Sequence, residues 1–178
     1  PIIRENFPVD VDVNEAKIPR EPVDVCVDYI VDLIDEAVPN LPAIIVNQQE
    51  ELGRITQPIA LSLKAKVLLV AASPLYNGNA YQATLKNNDG TELFNQTNEV
   101  EKWQRAVDAC REAIEMCVDQ LGMKLYTYPG NPSYPLTEET KRELSLRNAV
   151  AERWNSEIIW ANTQHLFSDV LQRHIAPK

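Results

Sequence analysis

The chain has 178 residues, of which 44% are apolar and 24% charged, and its formal net charge is −9. That length and mixture fit one globular domain with a real core. The acidic balance argues against a nucleic-acid partner, whose phosphates it would repel, and against a peripheral helix on anionic lipid.

Residues 1–19 read as irregular, with Pro1, Pro8 and Pro19 around an acidic tract at Asp10–Glu15. The opening, PIIRENFPVD, lacks Met and reads as the continuation of an earlier segment, so a fragment or processed product is expected. A first helix is predicted over Pro22–Val38. Pro22 suits the first turn, and Glu21 and Asp24 favour the positive helix start. Val23, Val27, Ile30, Ile34 and Ala37 recur at helical spacing, with Cys26, Tyr29 and Leu33 widening the stripe. Asp24, Asp28 and Asp32 line another face, expected to be solvated; evenly spaced helical carboxylates do not wrap a calcium ion. Pro39 and Pro42 end the helix.

A second helix is predicted over Gln57–Tyr76, with Gly53 and Gly78 just outside it. Thr56 is the expected N-cap, Pro58 is tolerable in the first turn, and Pro74 should kink or end the ladder near Ser73. This helix is apolar on nearly every side and rich in small residues, which predicts helices packed all round it. Its uninterrupted apolar run, Val67–Ala72, is far short of the roughly 20 residues of a membrane span.

Residues 77–98 form a polar excursion with turn signals at Asn77-Gly78 and Asn88-Asp89-Gly90. No 12-residue calcium-loop pattern fits around Gly90. A third helix is predicted over Glu99–Leu121, with Asn98 as N-cap and Glu101 as its capping-box partner. Trp103, Ala106, Val107, Cys110, Ile114, Cys117 and Leu121 make its stripe. Glu101 and Arg105 are placed to pair, and Gly122 is the expected C′ residue. After a loop rich in tyrosine and proline, a fourth helix is predicted over Glu138–Trp154 with Thr137 as cap. Glu157–Asn162 reads as a short strand. Cys26, Cys110 and Cys117 alternate with apolar neighbours and read as small buried thiols; a disulfide from Cys26 to one of the others is the alternative. Cys110 and Cys117 lie roughly 10 Å apart along one helix, too far to bridge.

Four helices in sequence predict an all-α fold of tetratricopeptide-like helix hairpins, with long loop insertions and one short strand or hairpin. Trp103-x-x-Ala106-Val107-x-x-Cys110 has the spacing of a first repeat helix, and Ala65-x-x-x-Leu69-x-x-Ala72 that of a second. The organisation expected is a single partial domain over residues 1–178.

The motifs in order are REPVD (20–24), YIVDLIDEA (29–37), the block GRITQPIALSLKAKVLLVAASPLYNG (53–78), WQRAV (103–107) and NSEIIWA (155–161). Together they resemble the SusD/RagB family, with the 53–78 block the most specific. The resemblance implies an inner portion of a protein several times longer. It implies a surface-exposed lipoprotein of the outer membrane that binds an oligosaccharide or other nutrient and works with a SusC-like TonB-dependent transporter. Membrane attachment would run only through a lipidated N-terminal cysteine outside this chain. The family binds and does not catalyse.

The residues themselves offer no catalytic constellation. His165 and His174 stand nine apart without a metal-ligand pattern, the five glycines are isolated, and no two acids are singled out for glycoside hydrolysis. No cofactor and no metal are expected. Sugar binding needs aromatic faces and planar amides. Tyr126, Tyr128 and Tyr134 in the loop, with Asn79 and Tyr81 after the second helix, are the candidate ligand contacts. The loop tyrosines could equally pack the loop down or face a partner chain. Tyr76, Trp103 and Trp160 read as structural. The competing function is a helical-repeat protein–protein adaptor without carbohydrate binding.

Overall fold

Among the residues that a computed structural model describes, 1–130, 133, 135–152 and 154–161, the chain is all-α. Its helices are α1 (Val23–Ala37), α2 (Gln57–Ala72), α3 (Val100–Ile114) and α4 (Glu138–Ala151). Short 3₁₀ turns follow α1 at Val38–Asn40 and lie within the excursion at Ala80–Gln82, and α3 runs on into a π-helical turn over Glu115–Gln120. Two compact units make up the chain. The first is Pro1–Ala43 with Thr56–Gly122, and the second is Ile44–Ile55 with Met123–Lys178.

The first unit is built on α2. Residue 73 before Pro74 is extended, as a residue before proline must be, and this ends the helix at Ala72 rather than Tyr76. At the other end Thr56 occupies the N-cap position but makes no side-chain cap bond. Instead Gln57 ties the neck of the unit: its backbone N–H donates to Pro42 C=O at 3.0 Å and its amide to Leu41 C=O at 2.9 Å. The end of α1 therefore lies beside the start of α2. The end of α2 lies beside the start of α3, because Asn77 grips both. Its Nδ2 donates to Ala72 C=O at 3.4 Å and Glu99 C=O at 2.9 Å, and its Oδ1 accepts the Glu99 N–H at 2.8 Å. Neighbours are thus antiparallel, α1 to α2 and α2 to α3.

The predicted Asn98 cap is not formed, since Glu99 holds the cap position and its orphan N–H is taken by Asn77, 22 residues earlier. Gly78 makes this approach possible. Its φ is +77°, and a Cβ there would lie 2.9 Å from Asn98 N.

The core is small-grained. Leu61, Ala65, Leu68 and Ala72 of α2 meet Ala106, Ala109 and Ala113 of α3, and Val31 of α1 joins the same cluster. Alanine on both helices brings the two backbones close, so ridges and grooves mesh with little side chain between them. This rotates the α3 stripe from the one predicted: Trp103 is 40% exposed, and Val107 and Ile114 also face outward. In α1 the deepest residue is Val31, while Ile30 and Leu33 are exposed. Nor is α2 covered on every side, because Leu63, Leu69 and Val70 are exposed.

The α1 aspartates are not merely solvated. Asp24 pairs with Lys102 at 2.7 Å and Asp28 with Arg105 at 2.8 Å, joining α1 to α3 and taking Arg105 from its expected Glu101 partner. Lys64 of α2 reaches Asp35 of α1 at 2.6 Å and Glu112 of α3 at 3.0 Å. Burial pushes its ammonium pKa down, but the two hydrogen-bonded carboxylates more than offset this, and the net shift is upward. Cys26, Cys110 and Cys117 are all free thiols; only Cys117 is fully buried.

In the second unit Thr137 caps α4 as predicted, its side chain accepting the Thr140 N–H. The helix ends at Ala151, short of Trp154. The predicted strand at Glu157–Asn162 is absent over its described residues, 157–161. Asn155 folds that segment into a turn: its Oδ1 accepts the Glu157 N–H at 3.0 Å, and its amide donates to Ala149 C=O at 2.9 Å. Trp160, which reads as structural, is 57% exposed, with its indole N–H on Gly53 C=O at 3.3 Å.

Candidate functional site

Asn79 and Tyr81 follow the Asn77-Gly78 corner of the first unit. The Asn79 Oδ1 accepts the Tyr81 N–H at 3.0 Å and its Nδ2 donates to Leu75 C=O at 3.2 Å. Both ends of the amide are thus engaged in holding the 3₁₀ turn. Tyr81 itself is 95% exposed, so both faces of its ring are open to a ligand. Tyr76 is packed, stacked on Phe94 with ring centroids 6.1 Å apart.

Tyr126 and Tyr128 lie in the second unit on an extended loop beside α4, half-buried on alternate positions, while Leu125 is exposed. The Tyr126 N–H donates to the Glu157 carboxylate at 2.9 Å, the Tyr126 hydroxyl bonds the Glu152 carboxylate, and the Tyr128 N–H donates to Ser145 Oγ at 2.9 Å. The Glu152 hydrogen bond holds the Tyr126 phenol above its ordinary pKa. These contacts fasten the loop and orient the Tyr126 ring. Tyr134, His165 and His174 lie outside the described residues. The candidates therefore fall as two pairs, one in each unit.

Two hollows in the first unit were not anticipated. A cleft of about 160 Å³ opens between α1 and α3 over a floor of Val27, Leu68 and Ala71, rimmed by the Asp24–Lys102 and Asp28–Arg105 pairs. A groove of about 400 Å³ runs between α1 and α2, lined by Val23, Leu63, Val67, Val70 and Tyr76. The first was legible in principle: acids four apart on one helix matched bases three apart on another. Among the described residues no three His, Cys, Asp or Glu side chains converge on a metal position. No described helix is long and apolar enough to cross a membrane.

No family model matches the chain, and neither does any curated protein. Two solved structures of BT4246 share this fold. BT4246 is a Bacteroides thetaiotaomicron protein. In one structure the TM-score is 0.72 at 31% identity, covering 93% of this chain and 31% of that one. In the other, a selenomethionine form, it is 0.67 at 30% identity, covering 89% of this chain and 30% of that one. The likeness to BT4246 points to a protein of Bacteroidetes type. The chain spans less than a third of the length of the BT4246 chains it matches.

Proposed function

We propose that this chain is the helical scaffold portion of a SusD/RagB-type nutrient-binding protein, which acts by binding and not by catalysis. The observation that carries the reading is the ordered motif set, above all the block at residues 53–78, which forms the central helix α2 and the Asn77-Gly78 corner. Similarity to BT4246 along nearly the whole chain is consistent with it. In this reading the whole protein is a lipid-anchored, surface-exposed component of the outer membrane. It captures an oligosaccharide or other nutrient and passes it to a TonB-dependent, SusC-like transporter. Tyr81 is the candidate whose ring is free to stack on a sugar, and Tyr126 and Tyr128 are separate candidates within the other unit. Calorimetric titration of the whole protein with oligosaccharides tests the reading. Saturable binding weakened by Tyr81→Ala supports it, and no saturable binding across neutral and acidic glycans overturns it.

One observation favours a second reading, a helical adaptor for another protein. Leu63, Leu69 and Val70 of α2 and Val107 and Ile114 of α3 are large, apolar and exposed. Co-purification with a transporter in the absence of any glycan binding would favour that adaptor.

A further inference from the structure

A third hollow, of about 420 Å³, lies between residues 17–20 and 87–89. Its walls are far apart in sequence but laced together. The Arg20 guanidinium donates to Lys86 C=O at 3.2 Å, and the Asn87 amide donates back to Arg20 C=O at 2.8 Å. The 87–89 wall is the tip of a tight turn, closed by the Gly90 N–H to Asn87 C=O at 2.9 Å and the Asn87 N–H to Thr91 C=O at 3.0 Å. Lys86 at its base is neutralised by Glu92 at 2.8 Å. Lys17 and Arg20 are not neutralised. The Lys17 ammonium donates only to the neutral Asn14 Oδ1, at 2.9 Å, and neither residue forms an ion pair among the described residues. Two open cations on one hollow are notable in a chain of net charge −9.

We infer that this hollow binds the carboxylate of an acidic saccharide. Arg20 keeps guanidinium N–H groups beyond the one bonded to Lys86, in the planar fork that fits a carboxylate, and Lys17 adds a second charge beside it. The rest of the lining asks for hydroxyls. Asn88 offers both a donor and an acceptor, and Asp89, anchored by the Thr91 N–H at 2.9 Å, keeps oxygens that accept from a sugar hydroxyl. Asp89 also places a negative charge on the rim, which disfavours a polyanion and suits a single carboxylate on a hydroxylated ring. The saccharide class rests on the nutrient-binding reading above; the cationic pocket does not.

The test is an amide-resolved NMR titration of the ¹⁵N-labelled chain with digalacturonate and, in parallel, with maltose, at low and at raised ionic strength. Digalacturonate is expected to shift the amides of Arg20, Asn87 and Asn88, with affinity falling as salt is added. Lys17→Glu, at an exposed position where the fold is not at stake, is expected to weaken it about tenfold, and Lys17→Arg to preserve it. Shifts centred elsewhere, unchanged binding by Lys17→Glu, or maltose bound equally well at the same amides would each overturn the assignment. Digalacturonate binding at Tyr81 would sink the pocket and leave nutrient binding standing. Failure of the nutrient reading itself shows separately, in the whole-protein titration.

Discussion

Asn77 is the residue on which the α2–α3 corner turns. It is 2% exposed, and it satisfies the last carbonyl of one helix and the first N–H of the next. Asn77→Ala leaves those backbone groups buried without partners and is expected to cost about 2–3 kcal/mol, read as a lower urea midpoint. Gly78→Ala adds left-handed strain to a Cβ clash and is expected to cost about 2 kcal/mol or more; Gly122→Ala, at φ +66° in open space, about 1 kcal/mol. The titrating residues give a second expectation. Both Lys64 and Tyr126 hold their protons more tightly folded than unfolded. Their contributions are complete below the ordinary values of 10.0 for tyrosine and 10.5 for lysine, and are lost as pH rises through the folded ones. Unfolding midpoints should be flat across neutral pH, fall in strong alkali, and fall less steeply in Lys64→Met. The local signals, the Thr137 cap, Pro74 and Gly122, were legible because each acts within one turn of chain. Asn77 was not, because its partner is 22 residues away and nothing local distinguishes it from the Asn98 beside the helix start.

At the scale of elements, the seam between α2 and α3 decides the packing. Ala106 is 1% exposed, and Ala109 and Ala113 follow it on the same face. Ala106→Leu must push two close backbones apart and is expected to destabilise by about 2–3 kcal/mol, whereas Val107→Leu on the outer face should be neutral; thermal unfolding distinguishes them. The existence of α1 to α4 could be read from periodicity. The faces could not: ranking by hydrophobicity assigned the large side chains of α3 to the core, while close packing selected the small ones. The acids of α1 misled for a related reason, since a charge placed to reach across a cleft looks, in one helix alone, like a charge placed for water. The strand expected at Glu157–Asn162 is absent over its described residues, 157–161, because a short apolar run has meaning as a strand only with a partner to pair with, and Asn155 turns the chain first.

For the molecule as a whole, large apolar side chains stay exposed on α1, α2 and α3. Such surface favours association. The chain is expected to self-associate as concentration rises in sedimentation velocity runs. Leu63→Gln with Leu69→Gln should reduce this while changing stability by less than about 1 kcal/mol. The candidate ligand residues were legible only as types. Sequence named Asn79 and Tyr81 together, but only the fold shows that the amide of one is consumed while the ring of the other is free. The cationic hollow at residues 17–20 and 87–89 was invisible for the same reason as the Asn77 grip, being made by residues 66 and 67 positions apart.

The interleaved chain order has a kinetic consequence. Residues 44–55 leave the first unit at the Gln57 neck, yet their tie in the second, Trp160 to Gly53 C=O, spans 107 residues. The first unit can close on local hairpins while the second waits for chain far downstream. During synthesis, therefore, residues 44–55 emerge with only their own local bonds, such as Glu51 N–H to Asn47 C=O, and gain the Trp160 tie once α4 and the turn after it have followed them out of the ribosome, long after the helices on either side have met.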